Sequence, residues 1–141
     1  MSNIIDKYNV SVPRYTSYPP ANYFHELEAS DYLEAVVRSN EEGTKKLSFY
    51  LHMPFCKRLC HYCGCNSYIM PSSGDTVAKY IDAIHKEIDI VTALIDKSRP
   101  ISQIHFGGGS PTAMPTSVLK DINEHLLSLF PTIEKPEIAI E

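Results

Sequence analysis

The sequence predicts an α/β fold: three parallel β-strands with helices packed outside them, preceded by an extended N-terminal arm and a short helix. Three observations predict it. Apolar periodicity alternates strand, helix, strand, helix, strand, and parallel neighbours need such crossovers. Each strand ends on a chemically unusual segment, and parallel α/β folds bind ligands at that edge. The chain also stops on a strand with no helix after it, so we expect the N-terminal piece of a longer protein.

The elements follow in order. Residues 1–23 hold Pro13, Pro19 and Pro20, which forbid a long helix, and read as the extended arm. Ser30 can cap a helix over about 31–39 with Leu33, Val36 and Val37 on one stripe. Glu41-Glu42-Gly43 ends it, and we divide the chain into residues 1–45 (arm and helix) and 46–141 (sheet and helices). Leu47 to His52 alternates with period two and reads as a strand closed by Pro54. Asp75 can cap a helix to about residue 96, with Val77, Tyr80, Ile81, Ile84, Ile88, Val91 and Ile95 on one face. Ile101 to Phe106 is the second strand and runs into Gly107-Gly108-Gly109. A helix over about 116–130 turns Leu119, Ile122, Leu126 and Phe130 inward, and Glu137 to Glu141 forms the third strand.

Composition narrows the class. The chain has 141 residues, 43% of them hydrophobic, and a net charge of −4, which suits one soluble domain. No basic face argues for nucleic acid as a partner, and no apolar stretch is long enough to span a membrane. Without a signal-peptide core the chain reads as cytoplasmic, where thiols stay reduced.

All four cysteines fall within ten residues, Cys56 to Cys65, and the first three have the spacing C-x3-C-x2-C. Three thiolates in one loop suit a [4Fe–4S] cluster with one iron left open. The alternative is a structural zinc knot with Cys65 or His61 as fourth ligand, but zinc sites usually pair two such knuckles and there is only one. The three glycines let a ligand approach backbone closely, or simply make a tight turn; they form neither a G-x-G-x-x-G fingerprint nor a P-loop. Tyr50 and His52 share a strand face that either lines a site or holds a tyrosine satisfied in the core. His85 reads as a solvent-facing or boundary residue, and Glu141 as a catalytic, ligand-binding or merely solvated carboxylate.

The segment Tyr50-Leu51-His52-Met53-Pro54-Phe55-Cys56 through Cys63-Gly64-Cys65-Asn66 resembles the oxygen-independent coproporphyrinogen III oxidases, radical S-adenosylmethionine (SAM) enzymes of haem biosynthesis. Arg14-Tyr15-Thr16-Ser17-Tyr18-Pro19 and His105-Phe106-Gly107-Gly108-Gly109-Ser110-Pro111-Thr112 resemble theirs as well. The resemblance implies that the three strands are the first of a partial (β/α) radical SAM barrel whose remainder and C-terminal domain lie outside this sequence. It implies that Cys56, Cys60 and Cys63 ligate the cluster and that SAM takes the fourth iron. It also implies that Tyr50, Gly108 and Glu141 bind this SAM. Tyr62, Gly109 and Ser110 would contact a second SAM, and Cys65 would belong to the active site without ligating the cluster. Ser110 stands where the family usually has Thr and keeps the hydroxyl.

The implied reaction converts two propionates of coproporphyrinogen III to vinyls, giving protoporphyrinogen IX. One electron cleaves SAM to a 5′-deoxyadenosyl radical, which takes a β-hydrogen before CO2 and an electron leave. An electron-donor protein is the implied partner, with the enzyme a monomer. A haem chaperone or haem-degrading methyltransferase of the same superfamily, and a non-catalytic zinc-binding module, are the competing readings. Cys65 and the arm from Arg14 to Pro19 favour the oxidase over the chaperones.

Overall fold

A computed structural model describes residues 3–9 and 21–141, so the arm segment Arg14 to Pro19 lies outside the described residues. The chain forms two compact units, Met1–Tyr32 and Leu33–Glu141. In the first, α1 (Ile4–Tyr8) corrects the expectation of an entirely extended arm. The Asn3 side chain accepts from the Ile5 backbone N–H and caps this single turn. A 3-10 turn follows at Ala21–Tyr23.

Helix α2 (Ala29–Glu42) begins before Ser30, which therefore does not cap it. The Glu28 carbonyl already accepts from the N–H groups of Asp31 and Tyr32 at 3.1 and 3.3 Å. The expected stripe is not buried either: Leu33 and Val37 are exposed, and no residue of α2 is fully covered. Gly43 ends the helix where a Cβ would lie 2.3 Å from the Ser39 carbonyl oxygen.

The second unit holds the sheet. Strands β1 (Leu47–Met53), β4 (Ile101–Gly108) and β5 (Thr132–Ile140) are parallel, in the order β1-β4-β5. This is the expected alternation, with crossovers through α3 (Gly74–Thr92) and α4 (Thr116–Leu129). Between β1 and α3, β2 (Phe55–Cys56) and β3 (Tyr68–Ile69) form a separate two-stranded parallel pair. A 3-10 turn, Pro111–Ala113, leads from β4 towards α4.

Strand and helix periodicities place the core. Leu47, Leu51 and Met53 of β1, Ile101, Ile104 and Phe106 of β4, Ile84 and Ile88 of α3, and Leu119, Ile122 and Leu126 of α4 are buried together. Sequestering such side chains is worth about 1.5–3 kcal/mol each before entropy is counted. Phe130, just past α4, packs on Phe49 with ring centroids 5.7 Å apart.

Two helix ends differ from expectation. Ser73, not Asp75, caps α3: its hydroxyl accepts from the Asp75 N–H. The helix stops at Thr92 rather than near 96 because Asn40 takes over the chain there. The Asn40 amide donates to the Leu94 carbonyl at 2.8 Å and accepts from the Asp96 N–H at 2.9 Å. Arg99 secures the same junction, donating to the Thr44 carbonyl at 2.8 Å and to the Ser39 hydroxyl at 3.2 Å. Strand β5 starts five residues earlier than expected, since Glu134, Lys135 and Pro136 break the apolar pattern without breaking the strand. An edge strand tolerates proline.

Candidate functional site at the strand ends

The register of the parallel ladder builds the site. Tyr50 pairs with His105, His52 with Gly107 and Met53 with Gly108. With a side-chain period of two, Tyr50, His52 and His105 share the face opposite the core. Tyr50 is 60% exposed, which rejects a tyrosine satisfied in the core. Its ring stacks on His105 with centroids 5.7 Å apart. His105 Nε2 lies 3.2 Å from Glu141 Oε1, and the Glu141 N–H donates to the Phe106 carbonyl at 3.0 Å. Tyr50, His105 and Glu141 thus form one polar group across three strand ends.

His52 is fixed from two sides. Its Nε2 is 2.8 Å from the Asn66 carbonyl, which can only accept, so Nε2 carries the proton. In that tautomer Nδ1 can accept from the Tyr50 hydroxyl at 3.3 Å. Helix α3 braces the strand end from behind. The Tyr80 hydroxyl donates to the His52 carbonyl at 2.6 Å, and its ring meets Phe55 edge-on. Burial, first, and the charges of Glu87 and Tyr50 push the Tyr80 phenol above its ordinary pKa.

The glycines are needed for close approach. Gly108 has φ +116°, which side chains rarely adopt. A Cβ on Gly109 would lie 2.8 Å from the Pro54 carbonyl oxygen and 2.9 Å from Cys56 Sγ. The Gly109 N–H donates to the Met53 carbonyl at 2.8 Å and the Ser110 N–H to the Phe55 carbonyl at 3.1 Å. These bonds tie the glycine turn to the start of the cysteine loop.

That loop leaves β2 and returns beside it as β3, with the Met70 N–H donating to the Cys56 carbonyl at 2.8 Å. Cys56 is buried and its Sγ lies 3.7 Å from the Ser110 hydroxyl. Cys60, Cys63 and Cys65 are exposed, and all four thiols are free. The Cys65 backbone N–H, first, and the Cys65 thiol hold Cys63 below its ordinary pKa. The hydrogen bond to Cys63 and the charge on Cys63 raise Cys65 in return. Tyr62 is 92% exposed and does not join the strand-end group. A cleft of about 450 Å3 lies beside the loop, lined by Lys57, Arg58, Ser110, Thr112 and Ala113.

Among the described residues no three His, Cys, Asp or Glu side chains converge as a metal-holding group. The donor set nevertheless fits an iron–sulfur cluster in its chemistry: soft thiols in one short loop, with Gly109 leaving room against Cys56. No described helix is long and apolar enough to cross a membrane.

Sequence reasoning gave no individual site role to His105, Tyr80 or the Asn66 carbonyl. His105 could have been found by alternation, since it shares the β4 face with Gln103. The contact to Asn66 could not, because the loop that follows β2 carries no periodicity up to Asn66.

A parallel α/β sheet that gathers a thiol, a glycine turn and a carboxylate at one strand edge places them where α/β folds bind their ligands. Comparison with known proteins is consistent with that class. Over 141 residues the chain is 38% identical to the oxygen-independent coproporphyrinogen III oxidase of Synechocystis sp., covering 99% of this chain and 30% of that protein. The Escherichia coli K12 enzyme of that name is 40% identical over 139 residues, and the chain spans 29% of it. The Mannheimia haemolytica sequence of that name is 37% identical over 139 residues, and the chain spans 92% of it. The solved structure of the Escherichia coli coproporphyrinogen III oxidase, described as a radical SAM enzyme, superposes with TM-score 0.78 at 34% identity. It covers 96% of this chain and 29% of that one. No family model matches the chain. The chain belongs to the oxygen-independent coproporphyrinogen III oxidase family.

Proposed function

We propose that this chain carries the cluster- and SAM-binding part of an anaerobic oxidase. The enzyme would convert two propionates of coproporphyrinogen III to vinyls, giving protoporphyrinogen IX. The observation that carries this is the gathering of Tyr50, His105, Glu141, the glycine turn and Cys56 at one sheet edge. The identity to oxidases of that name supports it.

Cys56, Cys60 and Cys63 would hold a [4Fe–4S] cluster, which when bound supplies the electron that cleaves SAM. Buried Cys56 anchors one corner of the loop, while Cys60 and Cys63 are free to close inward. Tyr50, Gly108 and Glu141 would bind the SAM at the cluster. The Gly108 backbone can meet a ligand without a side chain in the way, and Glu141 offers a carboxylate to an amino group. His52, with its proton held on Nε2 by Asn66, keeps the Tyr50 hydroxyl aimed across the site. Tyr62, Gly109 and Ser110 would contact a second SAM, and Cys65 would act in the active site beside the cluster.

In this reading residues 1–45 precede the site-bearing portion, residues 46–141. The enzyme works as a monomer in the cytoplasm, its partner is an electron-donor protein, and neither nucleic acid nor membrane takes part.

The test is anaerobic reconstitution with iron and sulfide. Iron and labile sulfide should bind, and Cys56→Ala, Cys60→Ala and Cys63→Ala should each abolish a stable four-iron cluster. Zinc in place of iron, or a cluster surviving any of these changes, would sink the ligand assignment. With SAM, a reductant and coproporphyrinogen III, the full-length enzyme should give a product lacking two carboxyl groups. SAM cleavage with an unchanged porphyrinogen would move the protein to a sister function.

A further inference from the structure

Helices α3 and α4 meet through four side chains that the strand-end site does not use. Each helix contributes one histidine and one aspartate four residues apart: His85 and Asp89 on α3, Asp121 and His125 on α4. The pairs cross. His85 Nε2 lies 3.0 Å from Asp121 Oδ2, and His125 Nε2 lies 3.0 Å from Asp89 Oδ1. The ring planes lie 25° apart with centroids 5.0 Å apart, so the rings meet edge to edge and the two Nδ1 atoms face each other at 2.7 Å.

The chemistry of that arrangement is constrained. A carboxylate only accepts, so each Nε2 carries a proton and donates it outward. In the neutral ring the Nδ1 atom then bears a lone pair. Two lone pairs aimed at each other at 2.7 Å repel unless something electropositive lies between them. A proton satisfies them at that distance. A divalent transition metal satisfies them as well, at about 2.0–2.1 Å from each nitrogen, once the rings part by roughly half an ångström. Everything else in the cluster suits the metal. A carboxylate on the far ring nitrogen fixes the tautomer and raises ligand basicity, which is the usual outer support of metal-bound histidine. The histidine side chains are 25% and 21% exposed, so solvent can reach the gap and complete the coordination.

We propose that His85 Nδ1 and His125 Nδ1 form a two-histidine site for Zn2+ or a similar divalent transition metal, bridging α3 and α4, with Asp121 and Asp89 as positioning residues. Binding places the metal ion between the two Nδ1 lone pairs and needs both nitrogens unprotonated. The site is independent of the thiol loop and of the proposed reaction.

The experiment is a Zn2+ titration of the intact protein followed by long-range 1H–15N NMR of the histidine rings, which reads each nitrogen separately. Zinc captured by the thiols leaves these two rings untouched, so the loop does not confuse the result. The expected outcome is that the Nδ1 signals of His85 and His125 shift together and saturably. His85→Gln and His125→Gln should each remove the shift at the other ring. Asp121→Ala and Asp89→Ala should each weaken binding by about 10–100-fold. Unchanged Nδ1 signals at saturating zinc would mean a shared proton only and would overturn the site. So would a His125→Gln protein in which His85 still responds at the same concentration. Should a variant fail to fold, the wild-type ring signals alone decide the matter.

Discussion

Replacing the three consecutive glycines one at a time with alanine separates backbone strain, backbone crowding and side-chain crowding at one sheet edge. At Gly108 the φ of +116° costs an alanine about 1–3 kcal/mol by itself. Its Cβ would also lie 2.8 Å from His52 Cε1 and 3.0 Å from the Met53 carbonyl oxygen. That carbonyl cannot retreat freely, because it accepts from the Gly109 N–H. At Gly109 the obstacles are the Pro54 carbonyl and Cys56 Sγ, and such overpacking costs about 1–3 kcal/mol. At Gly107 the close atoms are Tyr50 Cε2, Tyr50 Oη and Glu141 Oε2, all tips of side chains that can swing outward. Loss of unfolded-state freedom returns about 0.4–1 kcal/mol there, so Gly107→Ala should be nearly neutral in stability. The assay is urea unfolding. With a slope of about 1–3 kcal/mol/M, a loss of 2 kcal/mol moves the midpoint by roughly 1 M. Gly108→Ala and Gly109→Ala should show such a shift and Gly107→Ala should not. Under the proposed function, Gly107→Ala should instead weaken SAM binding in equilibrium dialysis, since it displaces Tyr50 and Glu141. Equal destabilisation by Gly107→Ala and Gly108→Ala would refute the reasoning.

Three further outcomes follow from other parts of the structure. Arg99→Lys should destabilise nearly as much as Arg99→Ala, by about 1–3 kcal/mol in chemical unfolding. Only the guanidinium fork reaches Ser39, Asn40 and Thr44 together; full rescue by Lys would count against that geometry. In the metal-free protein, iodoacetamide should modify Cys63 before Cys65 and at lower pH, as read by peptide mass. Cys65→Ala should slow Cys63 only partly, because the main cause, the backbone N–H of residue 65, remains. Tyr80→Phe should cost about 0.5–1.5 kcal/mol at neutral pH through the lost bond to the His52 carbonyl. The folded phenol titrates above its unfolded value, so its contribution is intact below about pH 10 and fades as pH rises through the folded value. Stability measured from pH 9 upward should therefore fall more steeply in the parent protein than in Tyr80→Phe.

Local periodicity made the sheet and its crossovers readable, and nonlocal contacts hid most of the rest. Leu47 to His52 and Ile101 to Phe106 read as strands because burial on one face imposes alternation. The α3 stripe was largely legible, but Thr92, fully buried at its end, carries no apolar signal. Where α3 stops was not legible, since the residue that captures its end, Asn40, lies more than fifty positions away. The thiol loop, the glycines, Tyr50 and Glu141 stood out by residue type. His105 did not, because its meaning comes from the ladder that sets it against Tyr50. His85 read as a boundary residue for the same reason: its partners Asp121 and His125 belong to another helix.

Register explains why so few residues assemble so much chemistry. Past the irregularities near Leu47 and Ile101, one displacement fixes every pairing towards the strand ends. Pairing Tyr50 with His105 necessarily sets His52 against Gly107 and Met53 against Gly108. The absence of side chains at 107 and 108 then leaves space for the Tyr50 and His52 rings. Pairing Phe106 with Ile140 brings Glu141 just past the ladder, where its N–H meets the Phe106 carbonyl and its carboxylate meets His105. A slip of one residue would turn Tyr50 and His52 into the core and send Leu51 and Met53 outward. The apolar face therefore helps hold the polar site in register: burying Leu51, Met53, Ile104 and Phe106 excludes the one-residue slips that would scatter the strand-end side chains. Mutations that loosen this core should lower ligand affinity before they unfold the protein, because the site depends on alignment and the fold on burial.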